Sequence, residues 1–296
     1  MSFIRKLTKL LIFSKGMPDS AGLVMYSDHI GKHVMVDGYY EKDLVQAILN
    51  SLAFDTSTAT AIDVGANIGN HTRLFSNRFK LVRSFEPQKR TYRILDLNTE
   101  LYDGIEIYNF GLSSKPGDFE INVPLNNNGS GSTDFSFEDD VPVIRELITC
   151  NKYDDLFNDD VGFVKVDVEG HERAVFESMV ETLTKYKPVI AFELHPGEDS
   201  SVQSVDYLCY IGYSRFFTAA ETPLQRFNRS QNFFVRLVRK GLTVLNLRSI
   251  VSLVLDDEIT RLEEISIPDL IRSRYKYNLV VADCSDSEWK VVSNAS

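Results

Sequence analysis

Asp63-Val64-Gly65-Ala66-Asn67-Ile68-Gly69-Asn70 is the stretch whose reading decides how this chain folds. Ahead of it, Ala59-Thr60-Ala61-Ile62 reads as a buried strand; behind it, His71 to Arg78 reads as a helix. A strand, a glycine turn and a helix are where an α/β protein cradles a nucleotide-like ligand. Gly65 and Gly69 let the backbone come close to a ligand and take up positive φ without steric cost. The helix N-terminus that follows offers unpaired N–H groups. A dinucleotide fingerprint reads G-x-G-x-x-G, and here Asp63 stands in the place of its first glycine. A carboxylate there repels a pyrophosphate and suits a cation such as an amino acid's ammonium. The competing reading of this stretch alone is an ordinary strand–turn–helix with no ligand.

Outward from residue 59, apolar runs alternate with helical patterns, which implies βαβ units and a parallel sheet. Strands are expected at Leu81 to Phe85, Ile105 to Phe110, Val161 to Val166, Pro188 to Leu194 and Asn278 to Ala282, with extended segments at Asp118 to Val123 and Ser214 to Phe217. Helices are expected at Asp43 to Phe54, Gln88 to Thr99, Gly170 to Tyr186 and Val205 to Ile211, and a short strand at His33 to Val36. In the helix from Gly170, Glu172, Arg173, Glu177 and Lys185 would share the solvent side, with Ala174, Val175, Met179 and Leu183 on the sheet. The fold class is therefore α/β, a doubly wound, mostly parallel sheet with helices on both faces. Four parts follow: an N-terminal helical extension packed on the core (1–55), a ligand-binding core (56–221), a helical insertion (222–275), and a final core strand with a tail (276–296).

A net charge of −10 over 296 residues argues against nucleic-acid binding, which needs clustered positive charge. Cys150, Cys209 and Cys284 are odd in number and far apart, so neither a disulfide framework nor a zinc site is indicated. A reducing, cytoplasmic setting is the simplest expectation. No apolar run approaches the ~20 residues of a membrane span, and residues 2–13 do not read as a signal peptide. That segment is amphipathic and basic, expected either to dock on the domain or to touch a membrane surface weakly. Residues 226–248 read either as part of a helical subdomain packed on the core or as a surface for an anionic substrate, a membrane or a second subunit: Arg226, Arg229, Arg236, Arg239, Lys240 and Arg248 interleave with Phe233, Phe234, Leu237 and Val238. Asn126 to Thr133 is a polar low-complexity loop ahead of the acidic, aromatic segment Asp134 to Asp140, readable as a plain surface loop or a substrate lid.

Three groups carry chemistry. The first is the opening turn, with Asp63, Gly65, Ala66, Asn67, Gly69 and Asn70 as ligand-binding candidates. Glu86 is the second. It ends a strand, 21 residues beyond Gly65, where a carboxylate can accept hydrogen bonds from both hydroxyls of a ribose. Asp63 in the first glycine's place points to S-adenosylmethionine rather than NAD, whereas Glu86 fits either, since both carry the ribose. The third group lies at the carboxyl ends of two adjacent strands: Asp167, Glu169 and His171 in Lys165-Val166-Asp167-Val168-Glu169-Gly170-His171-Glu172, and Glu193 and His195 beyond the next strand. Crowded carboxylates raise one another's pKa, which favours base chemistry near neutrality. Asp167, Glu169, Glu193 and His195 are the catalytic candidates, with His171 beside them. Helix capping is the alternative for His171, and Asp167 also belongs with the cofactor-binding set. No metal site is assigned.

These groups together resemble the FkbM-type methyltransferase family. The resemblance rests on Asp-Val-Gly-Ala-Asn-Ile-Gly (63–69), Phe-Glu-Pro (85–87), Gly-Leu-Ser (111–113), Lys-Val-Asp-Val-Glu-Gly-His-Glu (165–172) and Phe-Glu-Leu (192–194), with Tyr40-Glu41 ahead of the first strand. It covers roughly residues 38 to 217 and the final strand, and not the insertion. It implies a Rossmann-like class I methyltransferase fold, S-adenosylmethionine as cofactor, and methylation of a hydroxyl oxygen on a sugar, glycan or natural product. The acceptor would be a small molecule or glycan, anionic ones included. An NAD-dependent oxidoreductase and a non-catalytic binding module on the same fold are the competing readings.

Overall fold

The computed structural model describes residues 22–24, 34, 38–124, 143–195, 198–220, 261–273, 277–285 and 291. At its centre is β1 (Thr60–Val64), whose five residues are all buried. It runs parallel between β2 (Leu81–Phe85) and β7 (Val161–Val166). Beyond β2 lies β3 (Ile105–Tyr108), and beyond β7 lies β8 (Val189–Leu194), both parallel to their neighbours. The last strand, β11 (Tyr277–Asp283), inserts antiparallel between β8 and β9 (Arg215–Ala219), and β10 (Leu262–Ile265) pairs with β9 at the edge. The order across the eight-stranded sheet is therefore β10-β9-β11-β8-β7-β1-β2-β3. Its central strands read as near-continuous apolar runs because both faces are covered.

Alternation along each strand divides the core in two. Ile62 and Val64 of β1, Val164 and Val166 of β7, and Phe192 and Leu194 of β8 share one cluster with Val175, Phe176, Leu183, Val205 and Leu208. These last come from α4 (Glu172–Ser178), α5 (Val180–Tyr186) and α6 (Asp199–Tyr210). Ala61, Phe163, Val189 and Ala191 face the opposite way and pack with Leu44, Ile48, Leu74 and Phe75. Those belong to α1 (Lys42–Ser51) and α2 (Asn70–Ser76). Asp63, Lys165 and Glu193 have the parity of this second face, so strand alternation directs them towards α1 and α2. Helix α3 (Lys89–Thr99) follows β2, and α7 (Ile267–Arg272) precedes β11.

A smaller sheet stands beside the main one. In it β4 (Gly111–Leu112) is parallel to β6 (Val143–Asn151), which forms an antiparallel pair with β5 (Gly117–Pro124). The loop expected at 126–133 and the acidic segment after it fall between β5 and β6, outside the described residues.

Four expectations change. The helix expected from Gly170 to Tyr186 is two helices, broken at Met179 (φ −126°, ψ 28°). The break has a remote cause: the Asp154 carboxylate accepts the Glu181 and Thr182 N–H groups at 2.8 and 3.1 Å, capping a new helix start. Glu172 is buried, not solvent-facing, because its carboxylate turns back to accept the Gly170 N–H at 3.0 Å; Arg173 and Glu177 do pair on the outer side at 2.9 Å. The stretch expected to be a wholly helical insertion contributes β10 to the sheet edge, since Leu262 buries itself beside β9. Strand β6 was not anticipated at all, because its solvent face carries Leu147 and masks the alternation. Residues 221–260, 1–21 and most of His33 to Val36 lie outside the described residues; Val34 itself is helical.

Among the described residues no helix is long and apolar enough to cross a membrane. Cys150, Cys209 and Cys284 form no disulfide with one another. Phe192 is fully buried in the central sheet and meets the Phe176 ring edge-on, with centroids 5.7 Å apart. Phe192→Ala is expected to cost about 3–5 kcal/mol of stability, read from urea unfolding.

Candidate functional site

The opening turn is built by the end of β2. Phe85 O accepts both the Gly65 and Ala66 N–H groups at 3.0 Å. Gly65 sits at φ +73°, and a Cβ there would lie 1.9 Å from Asp167 O, so the turn and the end of β7 touch backbone to backbone. Gly69 is needed for packing: a Cβ there would meet Leu95 Cδ1 of α3 at 2.8 Å. Asn67 takes up the left-handed region (φ 52°), which Asn tolerates, and its own side-chain oxygen accepts the Ile68 N–H at 2.8 Å.

Glu86 closes the turn from below. Its Oε2 accepts the Asn67 N–H at 3.0 Å and its Oε1 accepts the Gln88 N–H at 2.9 Å. Burial pushes this carboxyl up to about 7, against the pull of those two N–H groups and of Lys165. Each carboxylate oxygen has two acceptor directions, so both retain capacity for a further donor. Two acceptors side by side under a glycine turn fit the vicinal hydroxyls of a ribose, and a nearby cationic group favours the ionised form.

Asp63 is fully buried. Its Oδ2 accepts the Thr72 hydroxyl at 2.7 Å, and its Oδ1 faces Lys165 Nζ at 3.3 Å. Asn70 is likewise engaged within the protein. Its amide exchanges two hydrogen bonds with the Tyr40 backbone, Tyr40 N–H to Oδ1 at 2.9 Å and Nδ2 to Tyr40 O at 3.0 Å. In both cases a polar side chain on a buried element found a protein partner first, as buried polar groups must.

The carboxyl ends of β7 and β8 converge as expected. Asp167 and Glu193 are neighbours there. Burial raises the Asp167 carboxyl and Glu193 raises it further, while Lys165 at 3.4 Å opposes both; 36 % exposure of its side chain tempers the desolvation. Glu193 Oε1 lies 3.3 Å from His195 Nε2. Glu169 joins them from a left-handed turn (φ 52°), so that Glu169, Glu193 and His195 bring ligand-type atoms within 4.8 Å of one another, the one such group among the described residues. His171 is drawn elsewhere: it stands just ahead of α4, and its Nε2 lies 3.4 Å from the Ser113 hydroxyl.

Tyr40 and Glu41 complete this edge. Held by Asn70, Tyr40 places its phenol among Glu41, Asp167 and Glu193; burial, then these carboxylates, keeps it protonated well above the ordinary range. The His71 ring is buried beneath, 3.7 Å from Glu41, and burial lowers its pKa to about 4. The sequence signals for these additions were Tyr40-Glu41 in the family resemblance and a lysine inside an otherwise apolar strand.

The family model of the methyltransferase FkbM domain matches residues 63–216. Over 199 residues the chain is 28 % identical to the hexuronic acid methyltransferase AglP of Haloferax volcanii, covering 66 % of this chain and 76 % of that one. Among solved structures, it is similar to the methyltransferase FkbM from Methylobacillus flagellatus KT, at 16 % identity and a TM-score of 0.40, covering 74 % of this chain and 54 % of that one. It is also similar to SMU.1697c from Streptococcus mutans in complex with SAH, at 10 % identity and a TM-score of 0.40, covering 64 % and 89 %. The chain thus spans about half the length of the Methylobacillus protein.

Glu86→Gln replaces one acceptor by a donor. Calorimetry with S-adenosylhomocysteine at pH 8 is expected to show weakening by about 1.5–3 kcal/mol, the range for hydrogen bonds to a charged group. The same variant has a pH signature. The folded state holds the Glu86 proton up to about 7, whereas an ordinary glutamate releases it near 4.5. Folding thus binds a proton in that window, and this group's contribution to stability falls as pH rises through it. Unfolding free energies at pH 5 and pH 8 should show wild type losing stability relative to Glu86→Gln.

Proposed function

Because the chain belongs to the methyltransferase FkbM family, with S-adenosylmethionine as methyl donor, we propose that it methylates a hydroxyl oxygen of a sugar or glycan, hexuronic acids being the acceptor class to test first. The observation that carries this reading is the meeting of Asp167, Glu193 and His195, under Tyr40, beside the Gly65 turn. The acceptor class comes from the AglP similarity and from no side chain of this chain.

When bound, the donor supplies an electrophilic methyl group on a sulfonium. The turn at Gly65 to Gly69 and the Glu86 carboxylate would hold its adenosyl part. An alcohol attacks well only as its proton leaves, and a placed base typically contributes about 10²–10⁴-fold. The Asp167–Glu193 pair is the proton acceptor in this reading, since both carboxyls lie at the strand ends next to the turn. His195, 3.3 Å from Glu193, can pass the proton on towards solvent. The Tyr40 phenol, kept protonated, can donate to the acceptor sugar and orient it. Alignment of the two reacting groups supplies a further share, on the order of 7–11 kcal/mol in well-oriented reactions.

Asp167→Asn is expected to abolish turnover while S-adenosylhomocysteine affinity stays within a few-fold; normal turnover would remove Asp167 from the chemistry. The acceptor is tested by mass spectrometry of glucuronic acid glycosides and neutral hexosides incubated with enzyme and donor. A gain of one methyl confined to the neutral compounds would exclude the hexuronic acid class. Activity is expected to survive exhaustive chelation with EDTA, because Glu169, Glu193 and His195 work here as proton-handling groups; its loss, restored by added Mn²⁺, would assign them to a metal instead.

A further inference from the structure

Lys165 has a setting that the proton transfer does not use. Its side chain is 3 % exposed, in a strand whose six residues are all buried. Its ammonium lies 3.3 Å from Asp63 Oδ1 and 3.4 Å from Asp167 Oδ2, and donates to the Gly65 carbonyl at 3.0 Å. In the sheet register Asp63 sits opposite Lys165 on one side and Ser84 on the other. Thr72 of α2 bridges the row: its hydroxyl donates to Asp63 Oδ2 and lies 2.9 Å from the Ser84 hydroxyl. A polar row Ser84–Thr72–Asp63–Lys165 therefore crosses the core under the site and surfaces at Asp167.

A buried ion pair is weak reason for stability, because apolar side chains of similar volume often serve as well. What apolar residues could not do is hold one oxygen of Asp167. We propose that Lys165 is a positioning residue: its ammonium, anchored by Asp63, fixes the Asp167 carboxylate against the Gly65 turn so that donor site and proton acceptor keep one relative geometry. Asp63 acts through Lys165. With Oδ2 taken by Thr72, its Oδ1 has no hydrogen bond among the described residues and faces the ammonium, which makes Asp63 the internal counter-charge. The two backbone segments already touch at Gly65 and Asp167 O, so the carboxylate is the part left to orient. This inference rests on the reading that Asp167 takes part in the transfer.

The test removes both buried charges together, since Lys165→Met alone would strand Asp63. In Asp63→Asn/Lys165→Met, calorimetry is expected to find one S-adenosylhomocysteine site per chain, with affinity within tenfold of wild type. Crystals of both proteins with S-adenosylhomocysteine are expected to show Asp167 in one rotamer facing Nζ in wild type, and turned away or split between rotamers in the variant. Turnover per binding site with the acceptor found by mass spectrometry should fall about a hundredfold, the cost of a misplaced reacting group, with acceptor KM within threefold; Lys165→Arg, which keeps the cation, should recover part of it. An unchanged Asp167 rotamer overturns the proposal by itself, whatever the acceptor. So does a loss of turnover that merely tracks lost binding sites, the mark of a structural role. Normal turnover in Asp167→Asn would overturn instead the reading on which the proposal rests.

Discussion

One ammonium group holds three parts of this molecule together. Lys165 Nζ, on a side chain that is 3 % exposed, reaches Asp63 on β1, Asp167 beyond β7 and the Gly65 carbonyl of the turn, all within 3.4 Å. A charge in such a place is stable only when paired and hydrogen-bonded. The pairing dictates much around it. Asp63 must stay buried beside the ammonium, and Thr72 must sit on the first turn of α2 to satisfy its other oxygen. Gly65 must lack a Cβ for the strand ends to come this close. Removal of any one of these leaves another polar group without its partner in the core.

Above this layer the electrostatics change character. Burial and the neighbouring Glu193 carboxylate both raise the Asp167 carboxyl, because like charges side by side disfavour ionisation. Glu86, on the far side of the turn, is also pushed up by burial, yet its two N–H partners keep its geometry fixed whichever form it takes. The site thus has two acidic regions. In the proposed function one offers acceptors to a diol, and the other offers a base to an alcohol.

The segment before α1 acts as a third wall. Asn70 clamps the Tyr40 backbone, and the Arg73 guanidinium lies 5.2 Å from the centre of the Tyr39 ring. Helix α2 therefore has two jobs at its start: it satisfies Asp63 inward and holds Tyr40 outward. Since α2 opens directly after the glycine turn, the position of Tyr40 is tied to the same backbone that would receive the methyl donor.

Most strands of the main sheet, the turn and the gathering of carboxyls at one sheet edge were legible in the residues themselves. Val161 to Val166 is a mostly apolar run bounded by Asp160 and Asp167, and all six of its residues are buried. Strand ends in a parallel sheet point the same way, so Glu86, Asp167 and Glu193 had to gather at one edge. What each polar side chain does there was decided by tertiary contacts. For Asp63 and Asn70 the local pattern shows only their place beside the turn. Their partners, Lys165 and Tyr40, are 102 and 30 residues away, a pairing that spacing does not encode. The break at Met179 likewise depends on Asp154, and the burial of Glu172 on a backbone N–H two residues back that only a tight turn exposes. Hydrophobic periodicity is written along the chain, whereas the satisfaction of buried charges is settled by whichever groups the fold brings within about 3 Å.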